Sequence, residues 1–298
     1  MIRVPSRTLS VVAVAAALGL PARGEQASGT SPGTLEVAGG TLEYEVRGEG
    51  RPVVLIHGGL VDRRLWDGQV AVLASEHRVI RYDLRGLGRS SMPTGPFSHL
   101  DDLDRLLDEL ATERAVLVGL SLGGAIAMDY ALEHPERVDG LVLAASSLRG
   151  HPVSAETRAK VEEVYRTAAA DPERGVSLLL ETGLGGVTPD ARASLRRMML
   201  DNVRGWVESD PESVQWPSPP TAERLHDLRM PTLVLVGDRD EIDLLEIADR
   251  LAAEVPRASK IVLSDAKHHL NLDRPGAFDR ELLAFLRRLD MNGQDGPP

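Results

Sequence analysis

The chain has 298 residues with 45 acidic against 34 basic side chains, a formal charge of −11, and no cysteine. That acidity disfavours nucleic acid and anionic membrane surfaces as partners, because affinity for nucleic acid comes mainly from Lys and Arg neutralising phosphates. The absent cysteines exclude disulfides, thiolate metal sites and a Cys nucleophile, while 42% hydrophobic and 27% charged residues are ordinary for a globular protein.

At the start of the chain, Arg3 and Arg7 precede an apolar stretch over residues 9–20, and the small residues Ala22 and Gly24 follow. A basic start, a short apolar run and small residues predict an export signal over residues 1–24, and the run is too short for a comfortable membrane span. The mature protein is therefore expected to be exported (periplasmic or secreted) without stable membrane insertion, the alternative being an uncleaved N-terminal anchor. Residues 25–33 are polar and rich in Gly and Ser and read as a flexible linker. Alternating patterns over 34–37 and 42–46, around Gly39-Gly40, predict a hairpin.

Short apolar runs then recur at 53–56, 79–82, 115–118, 141–145, 233–236 and 261–263. Runs of this kind suit strands buried on both faces, as in a parallel sheet. Between them, residues 62–75, 100–110, 122–133, 243–255 and 277–289 carry apolar residues near helical spacing. In the last segment, Phe278, Leu282, Leu283, Phe285, Leu286 and Leu289 form one stripe. The alternation predicts a three-layer α/β fold with right-handed crossovers. Residues 149–228 break the rhythm with helical patterns and a Pro-rich passage, and read as a helical lid inserted after strand six. The core is then 34–148 and 229–290, with a disordered tail over 291–298.

Within this frame, Gly119-Leu120-Ser121-Leu122-Gly123 follows a buried run and opens a helix. A strand–turn–helix hinge of this form pushes the serine hydroxyl above the sheet edge, and the glycines avoid collision with the neighbouring strand and helix. The competing reading of Ser121 is a plain helix cap. A serine needs a base to take its proton and an acid to orient that base, and in a fold with such a strand–turn–helix hinge the chain order is Ser, then Asp or Glu, then His. Downstream, Gly237-Asp238-Arg239-Asp240 closes one strand, and the loop after the next carries His268-His269. At the end of the 53–56 run, His57-Gly58-Gly59 lets backbone approach a substrate, so Gly59 and Leu122 N–H are the expected oxyanion donors.

Taken with Asp83-Leu84-Arg85-Gly86-Leu87-Gly88-Arg89-Ser90 and with Pro275 beyond the histidines, these motifs resemble an α/β-hydrolase of the esterase, lactonase and carbon–carbon hydrolase type. The resemblance covers residues 34–290 and implies a mostly parallel sheet of about eight strands, with catalysis by a Ser-His-Asp triad. It selects Asp240 over Asp238 as the acid and His268 over His269 as the base, leaving His269 to face solvent or the sheet. Two departures stand out: Lys267 occupies the usual Gly position before the histidine, and Ile242-Asp243 lies where a proline is common. His57, directly at the glycine turn, is expected to be structural, as is the Asp83–Ser90 turn, held by hydrogen bonds of Asp83 and Arg85. Trp206, Trp216, Met198 and Met199 fit packing or pocket lining equally by residue type. Eight His without a His-Glu-x-x-His helix predict no metal, and no cofactor is expected. The expected partner is a small-molecule substrate: a carboxylic ester or lactone, with carbon–carbon hydrolysis, perhydrolysis or slow ligand binding as alternatives on the same triad.

Overall fold

A computed structural model describes residues 31–294. The expected export signal over residues 1–24 and residues 25–30 of the linker lie outside the described residues. Two strands open the chain, β1 (Ser31–Val37) and β2 (Gly40–Arg47), then β3 (Arg51–Ile56), helix α1 (Asp67–Leu73) and β4 (His77–Tyr82). Next come α2 (His99–Glu109), β5 (Ala115–Leu120), α3 (Leu122–Glu133) and β6 (Val138–Ala144). Three helices follow without a strand between them, α4 (Ala155–Ala170), α5 (Pro172–Glu181) and α6 (Pro189–Glu208). The chain closes with β7 (Thr232–Gly237), α7 (Ile242–Glu254), β8 (Ala258–Leu263), α8 (Leu270–Asp273) and α9 (Pro275–Gln294).

The eight strands form one sheet in the order β1-β2-β4-β3-β5-β6-β7-β8. Pairings β1–β2 and β2–β4 are antiparallel and all the others parallel. This is an α/β-hydrolase sheet with a helical insertion after the sixth strand. Every residue of β5 and β7 is buried, which explains their continuous apolar runs, whereas edge strand β8 is only partly buried, with Val262 exposed and Leu263 alone fully buried. From α9, Phe278, Leu282, Phe285, Leu286 and Leu289 are buried, while Leu283 sits at the margin of the predicted stripe.

Two boundaries differ from expectation. Ser31, Pro32 and Gly33, assigned to the linker, pair with Val46, Glu45 and Tyr44 in β1. Ladder bonds come from the backbone, so a polar, side-chain-poor triplet can extend a strand. Gly33 also fits under the Tyr44 ring, where a Cβ would come within 2.3 Å of Cζ. At the other end, residues 291–294 continue α9 rather than starting the tail, because helical hydrogen bonding carries on past Leu289, the last buried apolar position.

Parallel strands β3, β5, β7 and β8 all deliver their C-terminal ends to the same edge of the sheet. The loops at His57, Ser121, Asp240 and His268 therefore cluster there, where ligands bind in open α/β sheets.

Candidate active site

Ser121 lies between β5 and α3 with φ +55° and ψ −117°. A side-chain-bearing residue in that region costs on the order of 1–3 kcal/mol and persists only where its surroundings hold it. Here they do so on both sides. Ser121 N–H donates to Ala144 C=O at 3.0 Å, and Ser121 C=O accepts from Gly124, Ala125 and Ser147 N–H at 3.0–3.2 Å. The turn tolerates no bulk: a Cβ at Gly119 would lie 2.3 Å from Gly123 O, and one at Gly123 would lie 2.2 Å from Ile56 O. The Ser121 side chain makes no cap hydrogen bond, so the plain helix-cap reading fails.

Gly59 and Leu122 face each other across this turn, since a Cβ built on Gly59 would lie 3.5 Å from Leu122 Cδ2. Leu122 is the first residue of α3, whose N–H has no intrahelical acceptor. Neither this amide nor that of Gly59 donates to another protein group among the described residues.

His268 is buried, with Nδ1 3.4 Å from both carboxylate oxygens of Asp240. The contact is looser than an ideal charge-assisted bond, as is common before substrate is in place. Asp240 Oδ1 also accepts Glu241 N–H at 2.9 Å. Asp238 is exposed and accepts Ala266 N–H at 3.3 Å, bracing the neighbouring loop instead of meeting a histidine.

For His269, one of the two expected surroundings, solvent, is excluded. It is buried rather than solvent-facing, and its Nδ1 lies 2.9 Å from Leu184 O in the insertion. Its ring stands perpendicular to that of His268 at 5.1 Å. Burial, reinforced by His268, pushes its pKa down to about 3. The sequence offers no hint of this, because the partner comes from residues about 85 positions away.

His57 is fully buried, with Nε2 accepting Leu84 N–H at 2.9 Å and Nδ1 2.7 Å from Gly58 O. A backbone N–H can only donate, so the ring is the neutral tautomer with its proton on Nδ1, donated to Gly58 O. Burial lowers its pKa in agreement. Both nitrogens are thus spent on backbone, Nε2 joining the end of β3 to that of β4 and Nδ1 holding the adjacent glycine turn. The Asp83–Ser90 turn is held by hydrogen bonds of Asp83 and Arg85, within the turn and to its neighbours. Asp83 accepts from Arg63 and Arg89 N–H, Arg85 grips Asp102 at 2.7 and 2.6 Å, and Gly86 and Gly88 take φ of +75° and +58°.

A cavity of about 740 Å³ opens onto Ser121, Gly59 and His268. Its far wall is mainly apolar, from Val161 and Val164 of α4, Leu179 of α5, and Leu244 and Ile247 of α7. Trp206, Met198 and Met199 are buried in the insertion and Trp216 packs on His99 and Arg149, so none of the four lines it. His151 and Glu241 do line it, although neither belongs to a motif visible in the sequence. Among the described residues, no cluster of three or more His, Asp or Glu is arranged to hold a metal ion, and no helix is long and apolar enough to cross a membrane.

A serine on a strained turn, two unengaged amides and a buried His–Asp contact around one cavity define the class of site found in α/β hydrolases. The chain belongs to the alpha/beta hydrolase fold family, whose pattern it matches over residues 51–275. It is 31% identical over 279 residues to the dihydrolipoyllysine-residue acetyltransferase component of the acetoin cleaving system of Pseudomonas putida, covering 89% of this chain and 71% of that one. It is 27% identical to 3-oxoadipate enol-lactonase 2 of Acinetobacter baylyi, covering 86% and 97%. Among solved structures, it resembles a thermophilic esterase from Thermogutta terrifontis with a TM-score of 0.73 and 29% identity, covering 88% of this chain and 99% of that one.

Proposed function

We propose that the protein hydrolyses a small carboxylic ester or lactone by acyl transfer through Ser121, His268 and Asp240. The observation that carries this is the opening of Ser121, Gly59 and His268 into one cavity, with Leu122 beside Gly59 across the serine turn. His268 Nε2 takes the Ser121 proton as Oγ attacks the carbonyl carbon, while Asp240 holds Nδ1–H and stabilises the imidazolium. Gly59 and Leu122 N–H groups receive the negative charge on the carbonyl oxygen. The imidazolium then protonates the departing alkoxide and leaves an acyl-serine. Water, deprotonated by the same imidazole, releases the acid and restores Ser121. The helical insertion over residues 149–228 acts as the lid, because α4 and α5 supply much of the wall facing the nucleophile. Relatives named as esterases and lactonases support an ester or lactone substrate over other carbonyl compounds.

Replacing Ser121 by Ala tests the assignment. Turnover of p-nitrophenyl esters and of a γ-lactone disappears, while circular dichroism and the melting temperature stay close to wild type. Activity surviving in a folded Ser121→Ala protein overturns the assignment.

A further inference from the structure

The acid turn, the histidine loop and the insertion meet at one glycine. Gly183 lies just beyond α5, and its N–H donates to Glu241 Oε1 at 2.7 Å. Its C=O accepts His268 N–H at 3.2 Å. Glu241 N–H in turn donates to Asp240 Oδ1, and Asp240 faces His268 Nδ1. The contacts close on themselves, running from Asp240 to His268, from His268 to Gly183, from Gly183 to Glu241 and back to Asp240. A side chain at position 183 would break the circuit, because its Cβ would lie 2.7 Å from Glu241 Oε1 and 2.9 Å from Glu241 Cγ.

Further bonds hold the same strap, residues 182–187. Lys267 Nζ donates to Thr182 O at 3.1 Å, and Asp273 accepts Val187 N–H at 2.6 Å and Lys267 N–H at 2.9 Å. Lys267, which stands where the resembled family usually has Gly, is thereby tied to the insertion through both its side chain and its amide. The second oxygen of Glu241, Oε2, lies 3.5 Å from Lys160 Nζ on α4. That pair is the weak member, since Lys160 is 44% exposed and solvent screens it.

We infer that Glu241 is a positioning residue for the triad: through Gly183 it fixes the backbone of His268 against Asp240. This rests on the acyl-transfer assignment above. The carboxylate sets His268 by accepting one backbone N–H, and its charge is secondary. Loss of an orienting partner that shifts a reacting group by even 1 Å costs about 100-fold in rate.

Three substitutions separate reach from charge. Glu241→Gln keeps an oxygen for Gly183 N–H and loses the charge; Glu241→Asp keeps the charge and falls short; Glu241→Ala loses both. The expected result is a 10- to 100-fold fall in kcat for Ala and Asp, a change of less than threefold in KM, and recovery to within threefold of wild-type kcat for Gln. Lys160→Met, which cuts the outer ion pair with Glu241 and the exposed pair with Glu156 but leaves the Gly183 bond, stays within threefold. A kcat within threefold of wild type for both Ala and Asp overturns the inference, as does a Gln variant that falls as far as Ala. Should Glu241→Ala not fold, the Asp and Gln pair decides alone. Wild-type turnover that Ser121→Ala abolishes, alongside unaffected Glu241 variants, leaves the acyl-transfer assignment standing and removes only the positioning role. Absent wild-type turnover counts against both.

Discussion

Asp240→Asn is the sharpest probe of the proposed triad, because it keeps shape and removes charge. The Asp240 side chain is wholly shielded from solvent, and each of its oxygens lies 3.4 Å from His268 Nδ1. As Ser121 attacks, the imidazole becomes a cation, and a unit charge at that distance stabilises it by about 5 kcal/mol at an effective dielectric of about 20. Since about 1.4 kcal/mol is tenfold in rate, kcat should fall by three to four orders of magnitude. The amide adds a second penalty: its NH₂ can face Nδ1 only if the imidazole proton moves to Nε2, where it blocks the base. The assay is kcat for an aryl ester at saturating substrate near pH 7.5, with thermal melts to show that the fold survives. Asp238→Asn is the control. Exposed and engaged only with Ala266 N–H, Asp238 should tolerate the change with less than a threefold effect. Retention of more than a tenth of wild-type kcat by Asp240→Asn, or collapse of the Asp238 variant instead, refutes the reasoning.

Two further outcomes concern the scaffold. Gly123→Ala forces a Cβ to within 2.2 Å of Ile56 O and 2.7 Å of His57 O, and backbone on both sides should make it cost about 1–3 kcal/mol. Thermal unfolding should show a drop of several degrees, whereas Gly68→Ala in α1, with nothing within 4 Å, should be neutral or slightly stabilising. Acid should also weaken the fold through its buried histidines. Burial lowers the pKa of His57, and pushes His99 and His269 down to about 3 each. Below the unfolded value of about 6.5 the unfolded chain binds protons that the native state refuses, so stability falls as pH drops from 6.5 toward 3. His99 and His269 each contribute a loss of about 2 kcal/mol by pH 5. Urea midpoints at pH 7.5 and pH 5 read this directly, and the pH dependence should shrink in His99→Phe.

Much of the molecule is legible in the sequence where one physical cause dominates. The helix predicted over residues 122–133 coincides with α3 (Leu122–Glu133), because a glycine turn starts it and a Pro follows shortly after it. Ser121 stands out because a strained turn needs small neighbours on both sides, and those neighbours are consecutive in the chain. His269 and Glu241 were not legible for the opposite reason. Their partners, Leu184 and Gly183, come from the insertion, and an acidic residue after an acidic turn looks like any solvated surface. Likewise, Gly183 belongs to no motif of the sequence, yet it is needed for a close approach to Glu241. Boundary errors at residues 31–33 and 291–294 share one origin. Backbone hydrogen bonding extends an element past the point where its side chains announce it.

The crowding around Ser121 divides the cavity into two walls with unequal freedom to change. Behind the wall formed by Gly59, Leu120 and Ser121, an added methyl at Gly119, Gly123 or Gly124 meets another atom within 2.3 Å, so the turn that carries this wall is frozen. Opposite it, Val161 is 43% exposed, and Leu179 and Leu244 also come from elements outside the turn. Diversification within this scaffold must therefore be lopsided. New substrate preferences arise by substitution on α4, α5 and α7, while the chemistry is inherited unaltered from the sheet edge. A saturation library at Val161, Leu179 and Leu244 would sample different substrates, whereas one at the glycines would sample mostly destabilised chains.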